Sequence, residues 1–295
     1  MVKIVPNYGA ITAMNVVVRG MTRTALISAG FYVKRCLEMI GSVKLSPAEF
    51  VALSGASIKD SIFEDQDLPG DFEFSSKVSK VFPDMIGRSV PGYWDNVTWI
   101  GHLAQRFIKP DSVVYDLGCS LGAIGWAIDR KLTVPAQIIG VDNSAPMVEA
   151  LELNLEAARP RANWQGICGD VAQVSYKTTS VFVLHYCLQF VPIADRELLL
   201  TRLYESLEPG GAIFLSEKIA GESAASDEWL RAEHHGFKLK MGYSEKEIEA
   251  KARSIATMMP LERASTHEER LRRLGFLNVI RWRQSLNFCS WVACK

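Results

Sequence analysis

The chain has 295 residues, 48% of them hydrophobic, and its 33 basic side chains cancel its 33 acidic ones. That content is enough for one large core with an appendage and excludes a disordered chain. Balanced charge removes the field that a nucleic-acid or anionic-membrane binder carries, so neither partner is expected.

Residues 1–70 read as a helical extension. Thr22 to Ile40 can form a helix, weakened by Gly30, and Ser46-Pro47-Ala48-Glu49 is a capping box opening a short helix to Leu53. This extension is expected to lie either as a lid over a site built by residues 71–295 or as an annex packed beside it. From Asp71 to Tyr93 the text carries Pro83, Gly87, Pro91 and Gly92 among apolar residues, which predicts an ordered but irregular segment. A helix from about Asn96 to Phe107 leads out of it.

The centre of the sequence is Val113 to Gly122, an apolar run ending in Asp116 and followed by Gly118-Cys119-Ser120-Leu121-Gly122. A strand, a glycine turn and a helix (Ile124 to Arg130) let backbone come close to a bound nucleotide. A second apolar run, Gln137 to Val141, ends in Asp142, where doubly wound folds place an acid on ribose hydroxyls. The spacing is not the dinucleotide fingerprint. Asp116, ahead of the first glycine, is a poor neighbour for phosphate and a good one for a cationic amino acid group, which favours S-adenosylmethionine (SAM) as co-substrate.

Ser144 can cap a helix to about Ala158. Strand candidates follow at Asn163 to Cys168, ahead of Gly169-Asp170, and at Val181 to Leu188, with His185 and Tyr186 near the end of the latter. A helix over Asp195 to Leu207, stopped by Pro209-Gly210-Gly211, precedes a strand over Ala212 to Ser216. Helices are expected at Asp227 to His235, after the capping box at Ser244, and at Thr266 to Leu274, then strands at Leu277 to Trp282 and Asn287 to Ala293. The alternation predicts an α/β Rossmann-like fold, a doubly wound, mostly parallel sheet with an antiparallel end. The six cysteines (Cys36, Cys119, Cys168, Cys187, Cys289, Cys294) show no C-x-x-C spacing, which reads as reduced thiols in a cytoplasmic protein without a metal centre.

From Phe74 to Lys295 the chain resembles the carboxy-SAM synthase family, a branch of the class I methyltransferase fold that makes carboxy-SAM from SAM and prephenate for tRNA wobble-uridine modification. The motifs are VFPDMIGRSVPGY (Val81 to Tyr93), VYDLGCSLGA (Val114 to Ala123), DNS (Asp142 to Ser144), LQF (Leu188 to Phe190), LEPGGAIFLSEK (Leu207 to Lys218) and HHGFK (His234 to Lys238). The resemblance implies SAM contacts at Tyr93, Gly118, Cys119, Ser120, Asp142, Asn143, Asp170 and Val171, with Asp116 and His185 beside them. It also implies a homodimer, with Arg253 at the family's position for an arginine that meets the substrate carboxylate, often across that dimer.

Two departures stand out. The family's Asn before Tyr186 is His185 here, able to take a proton near neutral pH, and the N-terminal extension is long. With a lid, a His and the rings of Tyr93, Trp94 and Tyr186 to face a sulfonium, they favour chemistry within SAM itself: closure to azetidine-2-carboxylate with release of methylthioadenosine. His185, Tyr93, Tyr186 and Arg253 are its candidate catalytic residues. Carboxy-SAM synthesis comes second, and methylation of a small molecule with His185 as general base third.

Overall fold

The computed structural model describes residues 58–64, 72–158 and 160–295. The expected helices at Thr22 to Ile40 and Ser46 to Leu53, and the lid they were to form, lie outside the described residues.

Helix α1 (Ser76–Ser89) and helix α2 (Tyr93–Leu103) lead into strand β1 (Ser112–Leu117). There follow α3 (Ala123–Asp129), β2 (Ala136–Asp142), α4 (Ala145–Ala158), β3 (Asn163–Cys168) and β4 (Thr179–His185). The second half is α5 (Ile193–Ser206), β5 (Leu207–Lys218), α6 (Ala224–Lys240), α7 (Glu245–Ile255), α8 (Ala264–Arg273), β6 (Ile280–Ser285) and β7 (Phe288–Cys294). The strands form one sheet in the order β3-β2-β1-β4-β5-β7-β6. Pairing is parallel from β3 to β5 and antiparallel for β5 with β7 and β7 with β6, so the expected architecture holds.

Because side chains alternate across a strand, the central strands bury apolar residues on both faces. Phe182 and Leu184 of β4 pack with Leu199, Leu203 and Leu271, while Val181 and Val183 pack with Val97, Ile100 and Ile128. Each such side chain contributes about 1.5–3 kcal/mol on leaving water. Chain order reverses between β1 and β4, and ligands of open α/β sheets bind beside such a reversal, at the carboxyl ends of the strands.

Three expectations need correction. The irregular segment is mostly helix α1, with Pro83 inside it. Its buried stripe of Val78, Val81 and Met85, at helical spacing, outweighs the lost N–H of one proline. Gly87 lets that helix approach Trp94, since a Cβ there would stand 2.9 Å from the indole nitrogen. Pro209-Gly210-Gly211 does not merely end a helix but lies within β5, and the run Val181 to Leu188 splits into β4 and a short 3-10 turn, Leu188–Phe190.

Residues 58–64 dock on α1. The Asp60 backbone N–H donates to Asp84 at 2.7 Å, Tyr243 donates its hydroxyl to the Asp60 carboxylate at 2.6 Å, and Phe63 stacks on Phe72. Among the described residues no helix is long and apolar enough to cross a membrane, and the described cysteines are all free.

Candidate functional site

A cavity of about 1270 Å³ opens at the carboxyl ends of β1, β2 and β4, and its opposite wall is made by α1, α6 and α7. Ordinary small-molecule pockets run to roughly 300–1,000 Å³, so this one has room for two ligands.

One end is acidic. β1 delivers Asp116, 1% exposed, into the turn before α3, where the Gly125 N–H donates to it at 2.9 Å. Burial, with Asp142 nearby, pushes its carboxyl up to about 7 in spite of that N–H. β2 delivers Asp142, whose two oxygens accept from the backbone N–H groups of Ser120 and Ser144, both at 2.9 Å. Burial raises this carboxyl too, against those two donors. The turn between them needs glycine at 118: φ is +69°, and a Cβ would meet the Cys187 sulfur at 2.7 Å. Cys119, Ser120, Asn143, Asp170 and Val171 line the same end.

Aromatic groups form the middle. The His185 ring lies 5.0 Å from Tyr93 and 4.4 Å from Tyr186, between centroids. Tyr186 holds a left-handed backbone (φ 62°), a costly conformation for a bulky residue, which its N–H to Ser216 carbonyl bond at 2.8 Å helps to hold. Burial raises the hydroxyls of both tyrosines above their ordinary range. Behind the ring, buried Asn96 presents its amide nitrogen to His185 Nε2 at 3.1 Å, while its oxygen accepts from Ser290 at 3.2 Å. The same amide nitrogen stands 2.8 Å from the Ser290 hydroxyl, and since an amide nitrogen only donates, Nε2 accepts and the ring proton sits on Nδ1 with the amide in this orientation. Burial lowers the imidazole to about 3, so it is neutral. This contradicts the expectation of a His185 able to take a proton near neutral pH.

The far end is cationic. Lys218 from the tip of β5, His234 and Lys238 from α6, and Lys251 from α7 line it. Sequence reasoning gave these four no role, although LSEK and HHGFK contain three of them. Asn96 was missed as well, for nothing in the sequence marks a polar residue on a buried helix face.

Ten of the expected residues, Tyr93, Asp116, Gly118, Cys119, Ser120, Asp142, Asn143, Asp170, Val171 and His185, come together on this one cavity, with Tyr186 beside them. Arg253 does not. Its neighbours Lys251 and Ala252 face the cavity, whereas Arg253 is 53% exposed and pairs with Glu249 at 3.6 Å on its own helix. Trp126 is core, 1% exposed.

The fold and this cleft define a class I methyltransferase-type enzyme. Residues 114–211 match the family described as a methyltransferase domain. Solved structures with the same fold include phosphoethanolamine N-methyltransferase 2 of Haemonchus contortus (TM-score 0.53, 16% identity, 75% of this chain and 57% of that one). Another is an O-methyltransferase family 2 protein of Planctomyces limnophilus (TM-score 0.51, 13% identity, 75% and 62%).

The sequence relatives are more specific. The carboxy-S-adenosyl-L-methionine synthase of Actinobacillus succinogenes is 43% identical over 80% of this chain and 99% of its own, and that of Histophilus somni 44% over 77% and 94%. The chain belongs to the carboxy-SAM synthase family and is a SAM-dependent enzyme. These relatives overturn the favoured expectation: nothing supports cyclisation of SAM to azetidine-2-carboxylate, and His185, the departure that suggested it, is a neutral ring held by Asn96.

Proposed function

We propose that the chain makes carboxy-SAM from SAM and prephenate. The reading is carried by identity of 43% along nearly the whole of a carboxy-SAM synthase, and it is supported by a cavity with room for two ligands and ends of opposite charge. In the balanced reaction prephenate gives up its ring carboxyl and its hydroxyl, so that the ring becomes aromatic and phenylpyruvate remains. The SAM methyl carbon loses a proton and bonds to that carboxyl carbon, and the proton leaves with the hydroxyl as water.

The residues fit these substrates. Asp142, oriented by the Ser120 and Ser144 N–H groups, keeps lone pairs for ribose hydroxyls, and Asp116 supplies a negative charge for the SAM amino group. His185 is proposed to donate Nδ1–H to the SAM carboxylate. A neutral imidazole held in this tautomer offers one N–H from a fixed position, as the family's asparagine amide does, so the substitution keeps the donor while changing the ring. Tyr93 and Tyr186 present aromatic faces suited to the sulfonium.

The homodimer, the N-terminal lid and a cytoplasmic location belong to this reading as proposals. Light scattering checks the first, activity after removal of residues 1–57 the second, and fractionation of cells the third. The reaction is tested by mass spectrometry of the purified protein with SAM alone and with SAM plus prephenate. Carboxy-SAM is expected only when both are present; its absence from the complete mixture refutes the reading.

A further inference from the structure

The cationic end contains more charge than its surroundings neutralise. Lys251 reaches Ser89, its Nζ 3.0 Å from the hydroxyl, and His234 donates Nε2–H to the Ser89 carbonyl at 2.8 Å, so the last residue of α1 ties α6 and α7 together. Phe288 is the apolar floor: its ring lies 5.0 Å from His234, 5.7 Å from Tyr186 and 6.0 Å from the Lys218 ammonium. Lys218, Lys238 and Lys251 all border the same space. Among the described residues none of the three lies within ion-pair distance of a carboxylate. Burial, followed by repulsion from Lys238 and Arg231, lowers Lys218 to about 8; burial lowers Lys251 to about 8 against the attraction of Asp60, and burial lowers Lys238 as well.

Three desolvated ammonium groups around one opening are costly unless an anion joins them. One carboxylate neutralises one of them. Two carboxylates on an apolar ring match three lysines around Phe288 in both charge and surface.

Resting on the carboxy-SAM reading, we propose that Lys218, Lys238 and Lys251, with Ser89 and the face of Phe288, form the subsite that holds the second substrate as a dicarboxylate. Its two negative groups meet the lysines and its ring lies on Phe288, on the Tyr186 side of the cavity that opens toward SAM. The acidic end and the cationic end then sort the two substrates by charge, the cationic sulfonium compound to one and the dianion to the other.

The test replaces Lys251 and Lys218 singly by Met. Removing a buried charge without a carboxylate partner leaves no orphaned anion, so both variants are expected to fold. Losing one charge-assisted contact raises the KM for prephenate on the order of 10- to 100-fold, with the Kd for SAM within about twofold. Lys251→Arg, which keeps the charge, is expected to recover most of the loss. A second arm titrates prephenate, then phenylpyruvate, then inorganic phosphate into protein saturated with S-adenosylhomocysteine, which has no methyl group to react. Prephenate binding at least about tenfold tighter than either of the others supports a dicarboxylate subsite. An unchanged KM in both Met variants, or equal binding of the three probes, overturns it. Wild-type protein that binds prephenate in this way but forms no carboxy-SAM would refute the proposed reaction and leave the subsite standing.

Discussion

The two ends of the cavity are built by different means. At the acidic end each carboxylate sits at a strand terminus and is fixed by backbone: Asp116 by the Gly125 N–H, Asp142 by those of Ser120 and Ser144. At the cationic end the lysines come from β5, α6 and α7, and side chains and a helix end hold them together through Ser89 and Phe288. A site made by strand termini and a tight turn is local in sequence, whereas one made where three elements meet is visible only after folding. Substitutions should separate the two ends cleanly.

The largest effect is expected from Asp142→Ala. Losing a charged acceptor for two hydroxyls costs about 3 kcal/mol, roughly a 100-fold rise in the SAM Kd by calorimetry, with prephenate binding little changed. A rise in both dissociation constants would show that the ends are not separate. His185 tests the middle. His185→Asn keeps a donor and is expected to hold SAM affinity within about fivefold, while His185→Phe keeps an aromatic ring without the donor and weakens SAM about tenfold. Equal loss in both variants would mean that the imidazole does something an amide cannot.

The ends also differ in their response to pH. Asp116, with its carboxyl at about 7, faces Asp142, Tyr93 and the Gly125 N–H; it loses its charge as pH falls through that value. SAM affinity is therefore expected to weaken below pH 7 by up to about tenfold per unit, and Asp116→Asn to remove the dependence. Lys218 faces Lys238, Arg231 and Asp227, and Lys251 faces Asp60, Lys238, Arg88 and Lys218; both lose charge as pH rises through about 8. The KM for prephenate is thus expected to climb above pH 8. Reversal of the two limbs would exchange the assignments. The smallest effect belongs to Arg253→Ala: outside the cavity and paired with Glu249, it should change KM for prephenate by less than about twofold, whereas a tenfold rise would restore the expected arginine reaching across a homodimer.

Much of the fold was legible. Apolar runs ending in Asp116 and Asp142 marked β1 and β2, and the Ser244 capping box is present with Glu247 as expected. The acidic end followed from the same runs, because a strand that ends in an acid before a glycine turn has little freedom in where it puts the carboxylate. α1 was hidden since Pro83 and Gly87 are turn residues by propensity, and only packing of Val78, Val81 and Met85 makes them helical. His185 misled for a related reason: sequence gives an imidazole its solution character, while Asn96, far away in the chain, and burial decide which nitrogen carries the proton and that no second one is taken up. Sequence reasoning gave Lys238 and Lys251 no role, because most lysines are solvated and no local pattern says that two helices turn them toward one opening.

The most direct test of the account follows the atoms. SAM deuterated on its methyl group and prephenate labelled with carbon-13 in its ring carboxyl are incubated with the protein, and the SAM-derived product is weighed by mass spectrometry. The account predicts carboxy-SAM in which one deuterium has been replaced by the labelled carboxyl, together with unlabelled phenylpyruvate. A product without the carbon label, or transfer of the intact deuterated methyl group to another molecule, would contradict it.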